Sequence, residues 1–351
     1  MATSMQPQAS SRQSHATEAR PTPNRIFNSL FAYKLSAALK AAIELDLFSA
    51  IAEGERTAEA LALRTQASAR GVRILCDFLS IEHFLEKHGS EYHLAPDSAA
   101  FLDRRSPMYL GGAAGFLASH EMIAHFNDVA GAVRRGGAAE GEETLQPEND
   151  FWISFARNMA GIAGFGAEML AQLLARLDVP VNKVLDIAAG HGMYGVTLGR
   201  HHPKAKIVAL DWRNVLEVAA ENADHAGLGD RFDKIPGSAF DEEMGTDYDL
   251  VLLTNFLHHF DPPTNEVLLR KVHKALGPKG RVVILDFVPN PDRITPQEAA
   301  EFSLTMLVTT PKGDAYTFAE FESMLKNAGF ATAELHPLPP TVQQVVIARK
   351  D

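Results

Sequence analysis

"VLDIAAGHGMYG" (184–195) runs an apolar segment ending at the acid Asp186 into a cluster of small residues, and "MYGVTLGRHH" (193–202) then resumes apolar positions at helical spacing. The order is strand, tight turn, helix. Ala188, Ala189, Gly190 and Gly192 put little or no side chain in the turn, so backbone N–H groups and a helix N-terminus can approach a ligand there.

Outward from this turn the pattern repeats. "KVLDI" (183–187), "KIVALDW" (206–212), "RFDKIPG" (231–237), "YDLVLLTN" (248–255) and "GRVVILDFV" (280–288) are short apolar runs, most of them separated by helical stretches. That alternation predicts an α/β domain with a parallel sheet covered by helices on both faces. "TFAEFESMLKNAGF" (317–330) reads as an amphipathic helix, and "TAELHPL" (332–338) with "QQVVIARK" (343–350) as a terminal antiparallel pair.

The first half of the chain is different. Residues 1–23 are polar, without the apolar segment of a secretory signal, and read as a disordered tail. "FAYKLSAALKAAIELDLFSAIA" (31–52), "TAEALALRTQ" (57–66, opened by the potential cap Thr57) and "ARGVRILCDFLSIEHFLEK" (69–87) read as three helices. "FLEKHGSEYHLAP" (84–96) reads as a hairpin turning at Gly89 and Ser90. Three helices and a hairpin make a winged-helix module, assigned to 24–106. A helical connection over 107–178, interrupted by the polar loop "GGAAEGEETLQPEND" (136–150), leads to the α/β domain at 179–351.

Charge limits what these modules do. The 351 residues carry a formal net charge of -11, which opposes nucleic acid or anionic membrane as the main partner. Between Arg25 and Arg105 ten Lys and Arg face eleven Asp and Glu, so the winged helix has no evident field for phosphates and its apolar helices are better explained as a surface covered by a partner subunit or another domain. The single cysteine, Cys76, excludes an internal disulfide and a Cys-rich zinc site. No run reaches the length of a membrane span, which makes the cytoplasm the default compartment.

Three ligands suit a glycine-rich first turn. A triphosphate loop requires Gly-Lys-Ser/Thr, and "GHGMYG" (190–195) has no Lys. A dinucleotide fits the Gly-x-Gly-x-x-Gly spacing. Asp186 just inside the turn would repel a pyrophosphate and compensate a cationic amino-acid group. Asp211, ending the next strand in "ALDW", is placed to accept both hydroxyls of a ribose, or else to cap the following helix.

"VLDIAAGHG", "ALDW", "GSAF", "DLVLLTNFLHHFDPP" and "GRVVILDF", in this order and spacing, resemble the class I S-adenosylmethionine-dependent methyltransferases, and within them the O-methyltransferase family with an N-terminal winged-helix dimerisation domain. The resemblance runs from about Phe27 to Arg349. It implies a Rossmann-like seven-stranded sheet, S-adenosyl-L-methionine as cofactor, and a homodimer formed through the N-terminal domain. It places Asp186, Ala188, Gly190, Gly192, Asp211, Trp212, Gly237, Ser238, Ala239 and Asn255 around the cofactor. Ala188 stands where the family has the first Gly of its motif, and Ser238 where an acid often follows the adenine-motif Gly.

The same resemblance implies a catalytic base at His258 in "NFLHHFDPP" (255–263), oriented by Asp286, with His259 in place of the family's Asp. A neutral imidazole suits removal of a proton from an acceptor hydroxyl. Packing in the core for His258 and a helix cap for His259 are the plain alternatives. The family's second orienting acid falls at Ala315, next to Asp314, so a carbon or nitrogen acceptor stays open. A cofactor-sensing regulator that binds DNA is the alternative from another class. Adjacent histidines on extended chain diverge, and no metal is expected. Phe155 and Met159 on the helix before the sheet, Met306 on a later helix, and His259 are the candidate walls for a flat or apolar small-molecule acceptor.

Overall fold

The computed structural model describes residues 21–139 and 146–350. Met1–Arg20 of the expected tail and residues 140–145 of the polar loop lie outside the described residues.

The N-terminal region opens with α1 (Asn24–Phe31), α2 (Tyr33–Glu44) and α3 (Leu47–Ala52). The apolar spacing over 31–52 continues through Asp46, but that residue takes φ of 56°, and the left-handed turn divides the run into separate helices. Thr57 caps α4 (Ala58–Thr65), its hydroxyl accepting from Ala60 N–H. Ser68 caps α5 (Ala69–Ile81), which stops short of the expected Lys87. His83 sits at φ of 63° and Phe84 N–H bonds back to the Leu79 carbonyl, so the chain leaves the helix to pair β1 (Leu85–His88) with β2 (Glu91–Leu94). Phe48, Leu61, Cys76, Leu79 and Tyr92 form the core between helices and hairpin, and the Tyr92 hydroxyl donates to Asp77 at 2.6 Å. The helix α6 (Pro96–Phe101) closes this unit.

Short helices α7 (Ala114–Leu117), α8 (His120–His125) and α9 (Val129–Arg135) lead to α10 (Asp150–Arg176). Asn149 starts α10 by accepting Phe151 N–H, and its 27 residues extend for about 40 Å. The C-terminal half of α10 buries Ala163, Ala167, Leu170 and Leu174 with residues of the sheet, and its N-terminal half packs Trp152 and Ala156 against Val215 and Val218, on the helix that follows β4.

The sheet contains β3 (Lys183–Ile187), β4 (Lys206–Asp211), β5 (Phe232–Pro236), β6 (Tyr248–Thr254), β7 (Leu276–Asp286), β8 (Thr332–Pro337) and β9 (Gln344–Arg349) in the order β5-β4-β3-β6-β7-β9-β8. The first five are parallel; β9 runs antiparallel to both neighbours, as the terminal pair predicts. α11 (Met193–His201) and α12 (Arg213–His225) follow β3 and β4, α13 (Pro262–Ala275) follows β6, and α14 (Gln297–Thr309) and α15 (Phe318–Asn327) precede β8. Strand order reverses between β3 and β6, the position at which an open α/β sheet leaves a crevice beyond its strand ends. Both stretches singled out for chemistry, 184–195 and 255–263, leave the sheet at that reversal.

Candidate active site

The turn after β3 is made of backbone. Ala188 and Gly190 hold φ of 53° and 57°, conformations that lift the chain over the strand ends and favour small residues. Gly190 N–H donates to Asp211 Oδ2 at 2.7 Å, while Trp212 N–H donates to Asp211 Oδ1 at 2.7 Å. These bonds tie the ends of β3 and β4 together. Asp211 therefore does not cap α12, and burial pushes its carboxyl up to about 6. Gly237 N–H donates to the Asp211 carbonyl at 2.9 Å, bringing the end of β5 to the same place, and Ser238 shapes the next turn by accepting Phe240 N–H.

Other candidate cofactor residues stand back from this surface. Asp186 is buried beneath the turn, where Oδ2 accepts Gly195 N–H at 3.0 Å and Oδ1 has no partner. Burial, more than the nearby charge of Asp211, pushes its carboxyl up to about 7. A side chain at Gly192 would come within 2.9 Å of Ala219 Cβ, so this glycine serves the packing of α12. Ala239 joins the core under the sheet. Trp212 packs with Trp152, Ala156 and Val215, and Asn255 accepts a hydrogen bond from the Gln343 side chain. A turn clear of side chains and an acid held in place by backbone donors fit a ligand that brings a ribose to the strand ends, as S-adenosylmethionine does.

The second half of the site is made of rings. His258 and His259 lie on a tight helical turn over Leu257–His259, and both are buried. His258 Nδ1 stands 2.6 Å from Asp286 Oδ1, which also accepts Phe287 N–H at 2.8 Å. Against a carboxylate the imidazole nitrogen donates, so Nδ1 carries the hydrogen and the lone pair lies on Nε2. The two histidines would diverge unless the backbone bends, and here it bends. On the bent turn, unlike extended chain, their rings approach to 4.4 Å. His259 caps nothing: Asp261 caps α13 by accepting Thr264 N–H. Burial and then the neighbouring His258 hold the His259 ring well below the ordinary histidine range, which keeps it neutral.

Around this pair the rings form an arc. Phe155 stacks against His191 with centroids 5.9 Å apart and lies over Gly190. Trp152 meets Phe155 at 5.7 Å on one side and His259 at 5.4 Å on the other, both edge to face. Phe302 meets His258 at 4.8 Å and stacks on Phe287 at 4.0 Å. Met159 is half-buried one turn beyond Phe155, and Met306 is buried one turn beyond Phe302. Sequence reasoning missed Trp152, His191 and Phe302. Helical spacing was the available signal for Phe302, four positions before Met306, and for Trp152, three before Phe155. The acid next to Ala315 does not replace the missing one: Asp314 pairs with Arg293 at 3.1 Å near the surface. Its N–H donates to the His258 carbonyl at 3.0 Å, so this segment supports the histidine through backbone. Among the described residues no group of three or more His, Cys, Asp or Glu side chains is arranged to hold a metal, and no helix is long and apolar enough to cross a membrane.

Comparison with known proteins points the same way. Residues 142–331 match the family model of the O-methyltransferase domain and residues 27–104 that of the O-methyltransferase dimerisation domain. The chain is 30% identical over 301 residues to 3-hydroxy-5-methyl-1-naphthoate 3-O-methyltransferase of Streptomyces sahachiroi, covering 83% of this chain and 84% of that one. It is 28% identical over 316 residues to the tetracenomycin polyketide synthesis 8-O-methyl transferase of Streptomyces glaucescens, covering 88% and 91%. A crystal structure from Nostoc punctiforme, described as a candidate O-methyltransferase, is 51% identical and superposes with a TM-score of 0.91 over 94% of this chain and all of that one. The dimerisation domain supports a homodimer, and the methyl donor is S-adenosylmethionine. With both domains matched in order on this fold, the chain belongs to the S-adenosylmethionine-dependent O-methyltransferase family.

Proposed function

We propose that the chain methylates a hydroxyl on a flat aromatic small molecule, with His258 as the base. The observation that carries this reading is the buried pair of His258 Nδ1 and Asp286 Oδ1 at 2.6 Å, which leaves Nε2 to face an acceptor among the rings of Trp152, Phe155 and Phe302. S-adenosylmethionine supplies an electrophilic methyl group on sulfur. Asp211 and the backbone at Ala188–Gly190 hold its adenosine and amino-acid ends. His258 takes the hydroxyl proton on Nε2 while Asp286 fixes the tautomer and compensates the charge that develops on the ring. Edge-to-face and stacked rings orient a planar acceptor and exclude water from the reacting oxygen. The naphthoate named for the Streptomyces sahachiroi relative is a flat aromatic hydroxyl compound of this kind.

The homodimer is proposed to form through the N-terminal helices. α1 buries none of its own residues, and Ile26, Phe27, Leu30 and Phe31 are all exposed on it. Four large apolar side chains on eight residues call for a covering surface.

Incubation with methyl-labelled donor and a panel of naphthols, hydroxyanthraquinones and hydroxyphenazines, read by mass spectrometry, tests the reaction. An O-methyl product is expected. Methylation at carbon or nitrogen alone would overturn the hydroxyl reading, and no product alongside a sequence-specific shift of DNA would favour a regulator. Removal of residues 1–31 is expected to abolish the dimer in sedimentation. A well-behaved dimer of the shortened chain would overturn the interface.

A further inference from the structure

His259 has a buried ring whose surroundings do not satisfy it. It is 8% exposed, and Nδ1 is shielded from solvent with no hydrogen-bond partner. The rings packed around it are those of Trp152 at 5.4 Å, Phe256 at 6.4 Å, Phe260 at 6.2 Å and His258 at 4.4 Å. Burial of a polar side chain among rings is costly unless something pairs with it. A purely structural residue at this position would be better served by an apolar ring of the same size.

Neutral imidazole has one N–H and one lone pair. An N–H buried without an acceptor is the rarer and more costly omission, so the bare Nδ1 is the lone-pair nitrogen and the hydrogen lies on Nε2. That makes His259 a donor, while His258, with its Nδ1 hydrogen given to Asp286, offers an acceptor on Nε2. The two rings lie side by side with planes 59° apart. An acceptor nitrogen and a donor nitrogen on neighbouring rings match a ligand that carries a hydroxyl next to a second oxygen.

We propose that His259 is a specificity residue that donates Nε2–H to a second oxygen, ortho or peri to the hydroxyl being methylated. The substrate class is then a vicinal or peri-oxygenated aromatic: a catechol-type diol, a guaiacol-type methoxyphenol or a hydroxyquinone. This rests on the proposed aromatic O-methylation and narrows it. The second oxygen keeps its lone pair and loses no proton, so no further base is needed.

Matched acceptors test the idea. With 3-methoxy-2-naphthol and 3-ethyl-2-naphthol, which differ at one atom, the unaltered enzyme is expected to show kcat/KM about tenfold higher for the methoxy compound. His259→Phe is expected to bring that ratio to about one by lowering kcat/KM for the methoxy compound more than for the ethyl compound, and His259→Asn, which keeps an N–H donor, to retain part of the preference. 1-Hydroxy- and 2-hydroxyanthraquinone repeat the comparison with a carbonyl as second oxygen. No preference in the unaltered enzyme, or an equal loss for both acceptors in His259→Phe, would overturn the proposal. Should no aromatic hydroxyl be methylated while the cofactor still binds, the reaction assigned above fails and this inference falls with it. Methylation of all acceptors at one rate would sink the inference alone.

Discussion

The cofactor side and the acceptor side of this site are built from different materials. At the turn after β3 the working parts are backbone: Ala188 and Gly190 in left-handed conformations, and Asp211 held by the N–H groups of Gly190 and Trp212. Around His258 they are side chains brought together from α10, the turn after β6, the end of β7 and α14. A cofactor common to many enzymes is served by a surface that tolerates sequence change as long as residues stay small. An acceptor peculiar to one enzyme is read by rings that each substitution alters. The two halves share Phe155, which lies over Gly190 and touches Trp152.

If the halves are separate in function, substitutions should separate kinetically. The largest effect is expected for His258→Ala: kcat lower by about 10² or more, with cofactor affinity by calorimetry nearly unchanged. Asp286→Asn is expected to follow it with a loss of about tenfold or more, since the amide can present the wrong group to Nδ1 and disturb the tautomer. A loss of cofactor binding in either variant would show that the halves are one unit. Asp211→Ala should do the reverse, weakening cofactor binding by about 1–3 kcal/mol through unpaired hydrogen-bonding groups, while kcat at saturating cofactor stays close to that of the parent. Phe302→Ala is expected to raise KM for a polycyclic acceptor several-fold, the worth of about 0.5–1.5 kcal/mol for an aromatic pair, and to leave the cofactor term untouched.

The same contrast governs what was legible in sequence. β3, the turn and β4 lie within thirty residues, and their spacing alone places Asp211 beside Gly190. The parallel strands, the terminal antiparallel pair and the hairpin follow from apolar runs and turn residues in the same way, whereas the order of the strands in the sheet does not. Long-range side-chain geometry does not. Neither the arc from Phe155 through Trp152 to His259 nor the packing of Phe302 on His258 has a local signature, because each joins segments about a hundred or fewer residues apart whose facing is settled only by tertiary packing. Asp186 was misjudged for a related reason. Its position in the motif suggested a carboxylate facing the ligand, whereas the first turn of α11 offers a nearer N–H at Gly195, and the side chain turns under the loop to accept it. The break at Asp46 and the early end of α5 belong to left-handed residues that apolar periodicity does not register.

The smallest effect expected is also the sharpest test of the division within the cofactor side. Burial raises the Asp211 carboxyl from 3.8 to about 6 and the Asp186 carboxyl from 3.8 to about 7. An acid that holds its proton longer in the folded chain than in the unfolded one makes folding less favourable as pH rises, so the stability these two groups lend is full below about 4 and lost through pH 6 to 7. The proposed ribose contact has the opposite slope, because only an ionised Asp211 would accept from both hydroxyls. Cofactor affinity is therefore expected to rise about fourfold between pH 5.5 and 7.5 on account of a carboxyl titrating near 6, and the cofactor-induced increase in Tm should grow over the same range. Asp211→Asn should flatten that rise in affinity. Asp186→Asn should leave most of it, since Asp186 lies under the turn with one oxygen on Gly195 N–H. If Asp186→Asn abolishes the dependence and Asp211→Asn does not, the charge that meets the cofactor comes from beneath the turn, and the ribose assignment passes from Asp211.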